Sequence, residues 1–104
     1  MNPQTPGFRS FFKTDYAGMS IKFNPFDGFR LALTCSANFG IVGKGRIYIL
    51  QMNPAGIMTP QNVFDEPDAV FDCSWSENMA NFLFVGCGDG SVKVFFLIML
   101  KKQY

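Results

Sequence analysis

One stretch decides the fold of this chain: DCSWSENMANFLFVGCGDGSVKVF, at residues 72–95. Together with the two residues before it, this stretch holds three short apolar segments separated by polar or glycine-rich turns: 70–75, 82–85 and 92–95. Short apolar runs bounded by turn residues are typical of antiparallel strands. Asp89-Gly90 predicts a type I′ hairpin turn, which needs positive φ at both central residues. The stretch therefore predicts a three-stranded meander.

The preceding part of the chain repeats this pattern. Strands are expected at residues 19–23, 31–36, 46–50 and, more weakly, 57–64. The last of these contains Pro60 and can pair only as an edge strand, because proline has no amide donor. Phe23 aligns with Trp75, 52 residues later, and Gly45 aligns with Gly90, 45 residues later. Four-stranded units at a period of about 45 residues are typical of WD repeats, which form the blades of β-propellers.

The sequence thus predicts an all-β chain that forms the first two blades only of a WD40 β-propeller, with the ring not closed. The predicted units are an irregular lead-in, a first blade, a second and incomplete blade, and an atypical apolar and basic tail: 1–18, 19–64, 65–96 and 97–104. Closure of a propeller takes about four to eight blades, each packed against its neighbours. Charged residues make up only 16% of the chain, which fits a surface that further blades cover. We therefore expect a truncated form of a longer protein.

Composition disfavours several classes of function. The chain has no His, the commonest general base and metal ligand, so we expect no enzyme, no metal and no cofactor. Its net charge of +1 provides no field that would attract nucleic acid. Cys35, Cys73 and Cys87 lack paired spacing, and we expect them to be reduced and buried. The glycine-rich segment 40–45 lacks a Gly-Lys-Ser/Thr ending and precedes a strand, which argues against a phosphate-binding loop.

Six motifs in this chain occur together in one known family. They are TPG at 5–7, YAGMSIKFNPF at 16–26, RLA at 30–32, NFGIVGKGRIYIL at 38–50, DAVFDCSWSE at 68–77 and GDGSVKVF at 88–95. The set resembles the WD-repeat receptors of the peroxin-7 family, which import proteins with the type 2 targeting signal into peroxisomes. The resemblance covers about residues 5–95, which correspond to the first two of the family's blades. The chain departs from the pattern at 4–15, where residues are added, and after Phe95, where further blades are missing.

The resemblance implies a receptor that is not an enzyme. Members of the family bind an N-terminal nonapeptide, Arg-Leu-x5-His/Gln-Leu, which newly made matrix proteins present as an amphipathic helix. They work with a co-receptor, either the type 1 signal receptor or a fungal equivalent, and with the docking complex at the peroxisomal membrane. They shuttle between cytoplasm and peroxisome. Two alternatives are a generic WD-repeat interaction scaffold and a fragment without a function of its own.

The resemblance also directs attention to acidic side chains that could bind the basic end of the peptide. Asp68 matches an acidic position that the family uses near its cargo, and Glu66 and Asp72 lie close to it in sequence. Carboxylates pair well with arginine, in some cases through two hydrogen bonds. We therefore expect Asp68, Asp72 and Glu66 to contact the cargo peptide. The alternatives are a solvated loop charge for Asp68 and turn hydrogen bonds for Asp72. Asp89 is expected in the hairpin turn and Trp75 in the core.

Overall fold

The structure is a computed structural model that describes residues 10–40 and 43–97. Residues 98–104 of the predicted tail, the first nine residues of the predicted lead-in and residues 41–42 lie outside this range. Within it, the chain forms strands β1 Ala17–Phe23, β2 Arg30–Ser36, β3 Gly45–Met52, β4 Met58–Glu66, β5 Val70–Trp75, β6 Phe82–Cys87 and β7 Val92–Phe96. A short 3-10 turn at Ala37–Gly40 follows β2.

The strands form two antiparallel sheets in which neighbours along the chain pair with each other. The first sheet has the order β1-β2-β3-β4 and the second has the order β5-β6-β7. Pro60 lies in β4, the outer strand of the first sheet, where proline is tolerated. Neither sheet closes into a barrel within the part of the chain that is described. The prediction of an all-β chain is confirmed, and the number of blades stays a prediction.

The core lies between the two sheets. Residues directly opposite each other in a sheet share a face, so Ile47 and its partner Phe64 both point toward the second sheet. The buried members of this core are Ala32, Ile47, Ile49, Val70, Cys73, Trp75, Leu83, Val85, Cys87 and Leu97. Their removal from water is the main favourable contribution to the stacking of the sheets.

Polar groups at both ends of this junction also join the sheets. Ser36 is fully buried, and its hydroxyl donates to the carbonyl oxygen of Val70 at 2.8 Å and accepts from the Val70 amide at 2.9 Å. At the opposite end, the guanidinium of Arg30 lies 5.6 Å from the ring of Trp75 and donates to Asn81 at 2.5 Å. Burial lowers the pKa of Arg30, because desolvation disfavours its charged form.

Residues 10–16 cover part of the outer face of the first sheet. That face carries a second buried cluster, formed by Leu31, Leu33, Cys35, Tyr48 and Leu50. The ring of Phe12 meets the ring of Tyr48 edge-on at 5.1 Å, and the guanidinium of Arg46 lies 5.0 Å from the ring of Tyr16. The described part of the predicted lead-in has no regular secondary structure before β1, yet it packs against the sheet.

The outer face of the second sheet is open to solvent. Strict alternation along β6 and β7 turns one set of side chains into the core and the other set outward. The outward set includes the exposed residues Phe84, Val92, Val94 and Phe96. The two sheets therefore differ, because residues 10–16 cover only the first one.

Two predictions about local structure are wrong. Only Gly90 of the Asp89-Gly90 pair has positive φ, at 88°, so the hairpin is not a type I′ turn. The Gly90 amide donates to the Cys87 carbonyl oxygen, and the Cys87 amide donates to the Ser91 carbonyl oxygen. This is the three-residue hairpin loop in which a glycine with positive φ completes the reversal.

Strand β4 extends beyond the end of the strand predicted at residues 57–64. Asp65 and Glu66 continue β4, where they pair with Arg46 and Gly45 of β3. The ladder continues because Arg46 attracts Asp65, with its Nε donating to Oδ1 at 2.6 Å. Only residues 67–69 connect the two sheets.

Candidate functional site

The connections β2–β3, β4–β5 and β6–β7 meet at one edge of the two sheets, which we call the carboxylate edge after Glu66, Asp68 and Asp72. The Gly88 amide donates to the carbonyl oxygen of Ala69 at 2.7 Å, which joins the hairpin of the second sheet to the β4–β5 connection. The β1–β2 and β5–β6 turns lie at the opposite edge. Asp68 lies in the β4–β5 connection at this edge, Glu66 is the last residue of β4, and Asp72 is the third residue of β5.

Asp68 lies in the β4–β5 connection and is half-buried. Its Oδ1 accepts a hydrogen bond from the Ala69 amide at 2.7 Å, which fixes the direction of the carboxylate. Among the described residues, no Lys or Arg forms an ion pair with Asp68. An oriented carboxylate without a cation of its own is suited to accept a guanidinium from a ligand.

Glu66 is in a different environment from the other two acids. Its side chain is only 8% exposed, and its Oε2 lies 2.6 Å from the Nζ of Lys93 on β7. This carboxylate raises the pKa of Lys93 because it stabilises the charged ammonium. The pair connects the end of the first sheet to the second sheet and already neutralises the charge of Glu66.

Asp72 lies on β5 and faces β1. Its Oδ1 accepts from the Ser20 hydroxyl at 2.7 Å and from the Cys73 amide at 2.8 Å, and Lys22 lies 3.9 Å away. The hydrogen bond from Ser20, followed by the one from Cys73, lowers the pKa of Asp72. Asp72 is therefore held by hydrogen bonds, but one comes from Ser20 of β1 and the other from the next residue of β5, and neither belongs to a turn. Its side chain remains 69% exposed.

A groove of about 420 Å³ runs along the seam between β1 and β5. It is lined by Lys22, Phe23, Pro25, Asp72, Cys73, Ser74, Trp75 and Glu77. The lining contains charges of both signs together with the aromatic residues Phe23 and Trp75. Burial raises the pKa of the Cys73 thiol to about 11, so this cysteine stays protonated at neutral pH.

Asp89 and Trp75 lie where the sequence predicted. Asp89 accepts hydrogen bonds from the amide and the hydroxyl of Ser91 within the hairpin loop, and these bonds lower its pKa. Trp75 is 6% exposed in the core. The segment at 40–45 is followed by strand β3, so it lacks the helix that a phosphate loop requires. Cys35, Cys73 and Cys87 are free and buried, as predicted.

Reasoning from the sequence missed three residues at this site. Ser20 and Lys22 on β1 hold Asp72, and Phe71 is an exposed aromatic side chain between Asp68 and Asp72. The internal repeat could have identified Ser20, because Ser20 precedes Asp72 by the same 52 residues that separate Phe23 from Trp75.

The described residues contain no group of three or more His, Cys, Asp or Glu placed to hold a metal ion. In this part of the chain, no helix is long and apolar enough to cross a membrane.

Comparison with known proteins relates most of this chain to one kind of receptor. No protein-family model matches it. "Peroxisome biogenesis protein 7" of Arabidopsis thaliana is 44% identical over 85 residues, which are 81% of this chain and 27% of the relative. The "Peroxisomal targeting signal 2 receptor" of Schizosaccharomyces pombe is 35% identical over 99 residues, 95% of this chain and 29% of the relative.

The Homo sapiens protein of the same name is 36% identical over 77 residues, 74% of this chain and 24% of the relative. The chain therefore spans less than a third of the length of each of these relatives. Their names describe receptors and a biogenesis protein and include no enzyme. Over most of its length, the chain is homologous to part of the peroxisomal targeting signal 2 receptors, which confirms the family resemblance of its motifs.

Proposed function

We propose that this chain is part of a receptor that binds the N-terminal type 2 targeting peptide of peroxisomal matrix proteins and has no enzymatic activity. One observation carries the proposal: relatives named as receptors for this signal are 35% and 36% identical over 95% and 74% of the chain. The two sheets are assigned to two neighbouring blades of a WD40 propeller, at residues 19–64 and 65–96.

The carboxylate edge is assigned to the basic end of the peptide. Asp68 is the first candidate for the arginine of the signal, because it is oriented and has no ion-pair partner among the described residues. Asp72 is the second candidate, because its largely exposed carboxylate stays charged at neutral pH. Glu66 can bind the peptide only if its ion pair with Lys93 breaks, so we assign it the weakest contact of the three.

Delivery of cargo to the peroxisome is proposed for the whole receptor rather than for these residues alone, because the chain covers 24–29% of the length of the relatives compared. In that receptor, a co-receptor and the docking complex at the peroxisomal membrane would act after cargo has bound. The receptor would move between cytoplasm and peroxisome. No nucleic acid takes part in this scheme, in keeping with the net charge of +1.

The proposal is tested by measuring the binding of a fluorescent Arg-Leu-x5-Gln-Leu peptide to the 104-residue chain by anisotropy. We expect binding that weakens about tenfold or more in Asp68→Lys, because a like charge then faces the peptide arginine. Asp15→Lys is the matched control, since Asp15 is exposed and lies in the segment that covers the outer face of the first sheet, away from the β1–β5 groove. Absence of binding by the parent chain, or equal affinity of the parent and Asp68→Lys, would refute the proposal. Equal weakening by both variants would indicate an unspecific charge effect and favour a generic interaction scaffold.

A further inference from the structure

Phe71 is a large apolar side chain that stays 42% exposed at the carboxylate edge. Strands β5 and β6 pair Val70 with Cys87 and Asp72 with Gly86, so Phe71 is the extra residue of a β-bulge. In a regular strand, either Phe71 or Asp72 would point into the core, yet both are exposed. Bulges re-aim side chains in this way, and they are enriched next to functional sites.

The bulge places the ring of Phe71 close to Gly88, and the carboxylate of Asp68 is close to the same glycine. A methyl group on Gly88 would lie 3.1 Å from Asp68 Oδ1 and 3.4 Å from Phe71 Cε2. The absence of a side chain at Gly88 therefore leaves room beside an acidic and an aromatic group. The bulge is also held from the first sheet, since the Thr34 hydroxyl donates to the carbonyl oxygen of Phe71 at 3.5 Å.

An exposed ring beside an oriented carboxylate fits a ligand with a cationic side chain and an aliphatic side chain next to each other. The carboxylate attracts the cation, and the ring provides apolar area that an aliphatic group can bury. A purely basic ligand would use only the acid, and a purely apolar ligand would leave the acid without a partner. The pair can thus discriminate between peptides of equal charge.

We propose that Phe71 is a specificity-determining contact, which packs against the leucine that follows the arginine of the bound peptide while Asp68 accepts the arginine. This inference rests on the proposed function and extends it by naming the residue that recognises the apolar half of the signal. It assigns a role to the bulge, which keeps Phe71 out of the core and in reach of a ligand.

The test is a double-mutant cycle, measured by anisotropy with the 104-residue chain and two peptides. The protein variant is Phe71→Ala, and the second peptide has alanine in place of the leucine after its arginine. We expect each single change to weaken binding about tenfold or more, and the double change to cost little beyond either one. Phe26→Ala is the matched control, because Phe26 is 55% exposed in the β1–β2 turn at the opposite edge.

Two results would overturn the inference while leaving the proposed function intact. One is a Phe71→Ala chain that binds the parent peptide as tightly as the parent chain does. The other is a double change whose loss of affinity equals the product of the losses from the two single changes. That result would mean that Phe71 acts through the fold and not through the leucine. If the parent chain binds neither peptide, the proposed function fails and the role of Phe71 fails with it. Thermal unfolding of each variant identifies a loss of binding that follows from a loss of structure.

Discussion

The indole Nε1 of Trp75 donates a 2.9 Å hydrogen bond to the main-chain carbonyl oxygen of Lys22. This bond joins β5 of the second sheet to β1 of the first sheet. Two residues earlier on β1, the Ser20 hydroxyl donates to Asp72 of β5. Two side-chain hydrogen bonds therefore fix the seam between strands that occupy equivalent places in the two repeats, and they lie along the groove near the proposed cargo site.

The Trp75 bond predicts a specific loss of stability in Trp75→Phe. Phenylalanine keeps an aromatic side chain in the core but has no donor for the Lys22 carbonyl oxygen. We expect the free energy of unfolding to fall by about 2 kcal/mol, from the lost bond and the smaller buried area. Urea unfolding followed by circular dichroism measures the change. Phe26→Leu, which alters an exposed aromatic side chain, should change stability by less than about 0.5 kcal/mol, and equal losses in both variants would contradict the prediction.

Gly45 predicts a second effect, which depends on the close approach of the two sheets. A Cβ at Gly45 would lie 2.5 Å from Val70 Cγ2 and 2.6 Å from the carbonyl oxygen of Asp68. Gly45→Ala must therefore push β3 away from the β4–β5 connection, and we expect a loss of about 3 kcal/mol or more. Gly28→Ala is the control, because a Cβ there meets no heavy atom within 4 Å. A Gly45→Ala chain as stable as Gly28→Ala in urea would show that the sheets do not pack this closely.

These contacts show which parts of the structure the sequence could predict. The turn residues and apolar alternation place all seven described strands, and the repeat places Phe23 and Trp75 in equivalent strands. The extension of β4 through Glu66 was missed because it depends on partners far away in sequence, Arg46 and Lys93. Acidic residues next to a proline are typical of a loop, and the two cations lie opposite them only in the folded chain.

The site was predicted less completely than the fold for a similar reason. The acidic residues were identified from their resemblance to a family, but the state of each one depends on packing between the sheets. Ser20 orients Asp72 across the seam, and Lys93 neutralises Glu66 across the junction. The exposure of Phe71 depends on a register shift between β5 and β6 that no local pattern encodes. A sequence specifies these residues only through the fold that it forms.

Asp72 predicts a dependence of stability on pH. Its pKa is lowered in the folded chain, chiefly by the Ser20 hydroxyl, so its contribution is present above the unfolded pKa of about 4 and is lost as pH falls through the folded value. We expect Ser20→Ala and Asp72→Asn to reduce the loss of stability below about pH 4, each by a small amount because the carboxylate is largely exposed.

Urea unfolding between about pH 2 and pH 6 measures this effect. Asp89, whose pKa is lowered by Ser91, gives an independent comparison in the hairpin loop. The Asp72→Asn and Asp89→Asn effects should add, because the two carboxylates share no partner. A Ser20→Ala chain with the parent's full acid dependence would contradict the assigned cause.

We expect replacement of Arg30 to increase stability, which is the opposite of the usual result for a buried residue. It is 2% exposed, and its Nε and Nη2 have no hydrogen-bond partner among the described residues. Contacts with Trp75 and Asn81 offset only part of the cost of removing the guanidinium from water. We expect Arg30→Met, which keeps the length of the side chain, to raise the free energy of unfolding by about 1 kcal/mol.

Arg46→Met is the matched control and should lower the free energy of unfolding by a similar amount, because it removes the ion pair with Asp65 and the contacts with the rings of Tyr16 and Tyr48. A large loss of stability in Arg30→Met would mean that the guanidinium is solvated or paired when the chain is in water.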